Sequence, residues 1–397
     1  MPKERFGKIC PSPISFLEKG CAPPVGVIRF DVAEPDFPPP EEAVEATRQA
    51  LSNGKFRYSP SWGIPELREA LAAFLKSTRQ IEYSMDEILV TTGGKFANYA
   101  FFASLLCPGD SVVLIKPFWT SFKAVPEMLG IRTVEVWAEA PFHLDEEALK
   151  SAVDGRTRAI VLNSPNNPTG GILDESDLRL VRDLAEDHDL LVLSDEIDWA
   201  YVYGGRRFVS PASIEGLRDR VVVTDGFSKV FCMTGWRVGF AAGPKKLVDR
   251  LHMVQEHAVS SPSTFAQYGC LRALEVYRKY LERNLADCRR NLEIVLDRLN
   301  STGAIACPEP EGGFYAYPKI DHAFCSSLEF CEGLLEREGV TVIPGEYFGD
   351  DRNHFRLCYA VQRELLEEGL ERVVRFAEGL KSKKESRPVE GNDIKIK

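Results

Sequence analysis

Between residues 88 and 241 the chain repeats one motif: a short run of apolar and β-branched residues, then a stretch of helix or loop character. The runs are Ile88–Thr91, Ser111–Ile115, Arg132–Trp137, Ala159–Asn163, Leu190–Ser194, Val221–Thr224 and Val238–Ala241. Most are apolar on both alternating faces, so the sheet they form must be covered on both sides. The intervening segments supply the cover, most clearly Lys95–Leu106 and Glu175–Asp187, which carry helical periodicity. This predicts an α/β fold: a mostly parallel sheet sandwiched by helices.

The 397 residues leave room for a second unit. Residues 1–40 are broken by Pro11, Pro13, Pro23, Pro24 and Pro38 to Pro40 and read as an irregular arm. Helical patterns follow from Glu41 and from Pro65, a favoured first-turn residue. Beyond about residue 285 the style changes. A long charged helix over about Ala266–Asn300, with room for a break, leads to strand-like Gly313–Pro318, Val340–Pro344 and Phe355–Tyr359. An amphipathic helix, Arg363–Leu380, closes the series. The expected organisation is a large domain over 41–285, a smaller α+β domain over 286–380 completed by the arm 1–40, and a disordered basic tail over 381–397.

A net charge of −10 speaks against nucleic acid or an anionic membrane as partner. The charged start, Met-Pro-Lys-Glu-Arg-Phe-Gly-Lys, opens no signal peptide, and no stretch nears the ~20 apolar residues that span a bilayer. A cytoplasmic protein is expected. The ten cysteines are scattered from Cys10 to Cys358 without a C-x-x-C pair, which suits reduced thiols and no metal site.

Four segments carry the chemistry: Ser164-Pro-Asn-Asn-Pro-Thr-Gly170, Ser194-Asp-Glu-Ile197, Gly226-Phe-Ser-Lys229 and Thr234-Gly-Trp-Arg-Val-Gly239. Asp195 ends an apolar run, where open α/β sheets place their ligands. Lys229 follows the next run by a short turn. Gly93-Gly94-Lys95 opens a helix, so the backbone N–H groups of Gly94 and Lys95 are placed to meet an anion. Arg356 sits in the otherwise apolar run Phe355–Tyr359, where an unpaired charge is costly and an anionic partner is expected.

Taken together and in this order, from Ala33-Glu-Pro-Asp-Phe37 to Phe355-Arg-Leu-Cys-Tyr359, these motifs resemble the class I/II aminotransferases of the aspartate aminotransferase type, a fold type I family dependent on pyridoxal 5'-phosphate (PLP). The resemblance implies that Lys229 holds the cofactor as a Schiff base and moves a proton. It implies that Asp195 pairs with the pyridine nitrogen, since a nearby anion favours the protonated ring. Asn167 matches the donor to the ring hydroxyl oxygen, and Trp119 the aromatic side chain stacked on the ring. Gly94, Lys95, Ser228 and Arg237 match the phosphate ligands. Arg356, with Ala33 and Asn167, matches the site of the substrate carboxylate. Tyr58 matches a tyrosine that reaches the neighbouring subunit's cofactor, which implies a homodimer with shared active sites. The implied reaction moves an amino group by a ping-pong route from aspartate, glutamate or an aromatic amino acid to a 2-oxo acid such as 2-oxoglutarate. Another PLP reaction on the same scaffold, such as C–S lysis, elimination, replacement or cyclisation, is the alternative.

The chain departs from the family at Asp198, where a tyrosine usually donates to the ring oxygen. An ionised carboxylate cannot donate. Asp198 is therefore expected either to stay ionised, facing solvent or a cation, or to stay protonated and donate. Ala33 stands where glycine is common, and one methyl group there could narrow the substrate pocket. Lys95 stands where an aspartate- and prephenate-using subgroup binds an acidic side chain, with Ser12 and Ser15 in the relevant arm. Trp62 and the Ala258–Pro262 region are further candidates for specificity.

Overall fold

The computed structural model describes residues 26–139, 142–321, 324–350 and 352–385, the last five as backbone only. Ser12, Ser15 and most of the arm lie outside the described residues, as do positions 386–397 of the tail.

In chain order the first strands are β1 (Ile28–Arg29), β2 (Ile88–Thr91), β3 (Ser111–Lys116), β4 (Arg132–Glu139), β5 (His143–Leu144), β6 (Thr157–Asn163), β7 (Leu191–Asp195), β8 (Val221–Gly226) and β9 (Gly239–Ala242). All but β1 form one sheet in the order β2-β9-β8-β7-β6-β3-β4-β5. Its centre, from β8 to β4, is parallel, while β9 and the edge strands β2 and β5 pair antiparallel. Alternate residues face opposite covers, as the apolar runs require. Val192 and Val223 join a core with the helices Pro65–Arg79 and Glu175–Asp187, whereas Leu193 and Val222 join one with Gly94–Leu105 and Lys245–Ala258.

The later strands are β10 (Ile305–Ala306), β11 (Tyr315–Ala316), β12 (Lys319–Ile320), β13 (Val340–Thr341), β14 (Ile343–Pro344) and β15 (Phe355–Cys358). They form small sheets, β11-β15-β14 and β10-β12, and the arm contributes β1, parallel to β13. Phe30, Phe314, Phe330, Phe355 and Leu366 build a separate core there.

One point left open by the sequence is settled and one expectation is corrected. The helix Thr264–Asn300 runs 37 residues without a break. It gives Ala266, Cys270 and Ala273 to the large core, and Cys288, Leu292 and Val295 to the small one. The expected boundary at 285/286 thus falls inside a single helix. The last helix, Arg363–Glu385, also carries five residues into the expected tail.

Candidate active site

Strands β6, β7 and β8 bring Asn163, Asp195 and Gly226 to neighbouring C-terminal ends. Beyond those ends lies a cavity of about 320 Å³. Ala33 and Tyr315 close it from the side of the arm and the small sheets.

Asp195 is buried at the end of β7. Its Oδ2 accepts from Asn98 Nδ2 at 2.6 Å, and its Oδ1 from the Ile197 amide at 3.2 Å. Thr224 Oγ1 donates to Asn98 Oδ1 at 2.7 Å and so fixes which way that amide points. Despite both donors, burial lifts the Asp195 carboxyl to about 6, and the nearby Asp225 and Glu196 add to the rise. Such a carboxylate is stabilised by any cation that reaches it.

Lys229 stands in the turn after β8, half-buried, and its ammonium donates to the Ala33 carbonyl. Burial pulls its proton affinity down, and Asp198 opposes that pull. The other end of the cavity is held by Asn167 and Arg356. Asn163 Oδ1 accepts from the Asn167 amide at 2.9 Å, and Asn167 Oδ1 accepts from Arg356 Nη1 at 3.0 Å. Arg356 Nη2 donates to the Asp31 carbonyl at 2.6 Å, and the guanidinium lies 5.0 Å from the rings of both Tyr315 and Phe348. Both acceptors are neutral, and the buried Nε has no partner. The guanidinium is a buried charge without a counter-ion among the described residues.

An anion site opens at the helix Gly94–Leu105, whose first-turn N–H groups lack intrahelical acceptors. Gly93 (φ 78°) makes the close approach possible, because a β-carbon there would lie 2.7 Å from Arg237 Nη2. Arg237 is anchored by Nη1 to the Thr234 carbonyl at 2.8 Å and pairs with no described carboxylate. Ser228 and Lys95 line the same cavity, and the Lys95 ammonium sits 4.9 Å from the ring centre of half-buried Trp119.

Asp198, Tyr58 and Trp62 lie in three different surroundings. Asp198 does not turn to solvent: it is 1 % exposed, lines the cavity and leaves Oδ1 without a partner. A charged side chain in the turn after a strand usually points outward, but here that turn folds over the cavity. Tyr58 is 89 % exposed and outside the cavity of this single chain. Trp62 stacks on His252 at 4.1 Å instead of lining the cavity.

Sequence reasoning missed Asn98, Asn163 and Tyr315, and the buried Arg79, whose guanidinium bridges Glu196 and Asp225. One signal for Asn98 was available. It is the polar residue one turn after Gly94 in an otherwise apolar helical stretch, where an unpartnered amide would be expensive. The grouping of His143, Asp174 and Asp177 lies elsewhere, and its carboxylates cap the helix Glu175–Asp187 and bind the Leu144 amide.

These residues suit a phosphate-bearing, ring-protonated cofactor. A helix start with Arg237 would suit a phosphate, a desolvated carboxylate would suit a ring cation, and Arg356 Nε and Asp198 Oδ1 are buried polar atoms without hydrogen-bond partners. The match to the model for aminotransferases of class I and II covers residues 25–373. The chain belongs to that family. Its members use PLP, and this aminotransferase is a PLP-dependent transaminase of amino acids. It is 36% identical to an aspartate aminotransferase of Bacillus subtilis, over 89% of this chain and 91% of that one. It is 35% identical to aromatic-amino-acid aminotransferase 2 of Thermococcus litoralis, over 96% and 98%. The solved aromatic aminotransferase of Pyrococcus horikoshii superposes with a TM-score of 0.86 at 36% identity, covering 90% of this chain and 96% of that chain. No helix among the described residues is long and apolar enough to cross a membrane.

Proposed function

We propose that this aminotransferase takes the amino group of aspartate, glutamate or an aromatic amino acid and passes it to a 2-oxo acid such as 2-oxoglutarate, in the cytoplasm, by a ping-pong route. One observation carries the reading: a single cavity holds the Lys229 amine, the Asp195 carboxylate and the helix-start anion site, with Arg356 beside it on Asn167. Bound there, PLP supplies an electron sink for the carbanion formed when the substrate α-carbon loses its proton.

The chain's own groups do the rest. Gly94, Lys95, Ser228 and Arg237 would hold the phosphate, and Trp119 would cover the ring face. Asp195 would keep the ring nitrogen protonated, its charge steadied by Asn98. Lys229 Nζ would hold the cofactor and, as a free amine, would take the proton from the substrate α-carbon. Desolvation suits it to both tasks by weakening its hold on its own proton. Arg356 presents a guanidinium fork, steadied by Asn167, to the substrate carboxylate, with Ala33 forming the adjacent wall.

Lys95, exposed at the cavity, offers a cation to an acidic side chain, and the relatives' names cover aspartate and aromatic amino acids alike. The second subunit of a homodimer would cover Phe56, Tyr58 and Met253, which are 67 %, 89 % and 60 % exposed. Tyr58 then reaches the partner's phosphate site. Asp198 favours one second reading, elimination or replacement on the same scaffold, because it places an extra acid beside Lys229.

Steady-state kinetics of the holoenzyme with aspartate, glutamate or phenylalanine against 2-oxoglutarate tests the reading. Parallel double-reciprocal lines are expected. Ammonia release without any need for an oxo acid would instead establish the elimination reading.

A further inference from the structure

Asp198 stands three residues after Asp195, in the turn that leaves β7, at the position where the family carries tyrosine. Its carboxyl lines the cavity, is almost fully buried, and has an oxygen with no hydrogen-bond partner. Two cations face it, and both are engaged elsewhere. The Lys229 ammonium donates to the Ala33 carbonyl, and Arg356 binds Asn167 and the Asp31 carbonyl. Lys95 and Arg237 line the same cavity, and the other charged or titratable groups that face Asp198 are acids and phenols. These are the acids Asp195 and Asp225 and the phenols of Tyr201, Tyr203 and Tyr315. The Tyr315 hydroxyl also lacks a partner.

A buried carboxylate without an ion pair and with two acidic neighbours holds its proton. The protonated acid has an O–H donor, as a phenol does. Exchanging tyrosine for aspartate therefore keeps a donor in the cavity but makes that donor removable by a modest rise in pH.

We propose that Asp198 is a proton-gated hydrogen-bond donor to the ring oxygen of PLP. Protonated, it does the tyrosine's task; ionised, it loses the donor and repels the ring oxygen, so the grip on the cofactor weakens as pH rises. The inference rests on the reading that this cavity holds PLP. Burial lifts the Asp198 carboxyl to about 7, with Lys229 opposing and Asp195 and Asp225 reinforcing, which puts the transition within the physiological range.

The test is the PLP dissociation constant of the wild type, Asp198→Asn and Asp198→Tyr from roughly pH 6 to pH 9, followed by protein fluorescence. Asparagine and tyrosine both donate across that range, and every other titrating group is common to all three proteins. The wild type should lose about tenfold or more in affinity relative to either variant across the range, the worth of a hydrogen bond to a charged group. A wild-type-minus-Asp198→Asn infrared difference spectrum should show the C=O band of a protonated carboxyl at the acid end and lose it at the alkaline end. If all three proteins bind PLP with parallel pH profiles, or the protonated band is missing at the acid end, the proposal is overturned and the site reading survives. A wild type that binds no PLP at any pH overturns both.

Discussion

Asn98 hands its side-chain amide to Asp195 Oδ2 at 2.6 Å, from the same helix whose first turn forms the anion site. One element thus serves both ends of the cofactor cavity. Asn98 is itself oriented by Thr224 on β8, so the carboxylate is braced from the helix and from the adjacent strand.

Removing that brace has a defined direction. Asn98→Ala takes away a donor that favours the charged form of Asp195, so the carboxyl rises further and holds the ring nitrogen's proton less well. A hydrogen bond to a charged group is worth about 1.5–3 kcal/mol, which corresponds to a loss of roughly ten- to a hundredfold in kcat/KM. The acid limb of the kcat/KM profile should also move to higher pH. An unmoved limb would show that Asn98 only fills space.

Asp195 costs the cofactor-free fold stability at neutral pH. Its carboxyl is lifted from 3.8 to about 6, so the folded chain holds that proton more tightly than the unfolded chain. The contribution is intact below about pH 4, falls as pH rises to about 6, and is gone above it. Cofactor-free Asp195→Asn should therefore melt higher than the wild type above pH 6, a difference corresponding to about 3 kcal/mol. The two should converge near pH 4. Thermal unfolding at the two ends of this window decides it, and equal melting at neutral pH would contradict the burial argument.

The layout of the fold was largely legible, because alternation of apolar runs with helices leaves few ways to cover a sheet. Glu175–Asp187 and β2 have the bounds that periodicity assigned them. The helix Thr264–Asn300 was harder, since its middle carries a polar, exposed stretch that reads as a break until its two ends are seen to enter different cores. At the site, Lys229, Asp195, Asn167 and Arg237 were legible because each lies within a run of marked neighbours. The Arg79 bridge was not: Arg79 ends a helix, where a basic residue needs no explanation beyond the helix dipole, and its partners are distant in sequence.

That bridge is a stability element beneath the site. Arg79 Nη1 meets Glu196 Oε2 at 2.8 Å, Nη2 meets Asp225, and the guanidinium packs 4.6 Å from the Trp199 ring centre. Arg79→Met leaves two buried carboxylates unpaired and should cost about 3–5 kcal/mol, read by urea unfolding. Adding Glu196→Gln and Asp225→Asn should recover much of that loss. If the single variant is as stable as the wild type, the bridge contributes nothing.

The proposed homodimer makes a prediction about assembly through the exposed apolar residues Phe56 and Met253. Phe56→Glu together with Met253→Glu should shift a dimer toward monomer in sedimentation velocity and lower activity in parallel, because Tyr58 then loses its partner site. A variant that sediments like the wild type would place the interface elsewhere.

The most direct test is a half-reaction: the holoenzyme mixed with aspartate alone, without any oxo acid, under a spectrophotometer. The expected result is a shift of the cofactor band to shorter wavelength with one equivalent of the matching 2-oxo acid released per active site. Lys229→Ala should give neither. Turnover of aspartate by Lys229→Ala at the wild-type rate, or release of ammonia in place of the oxo acid, would contradict the account.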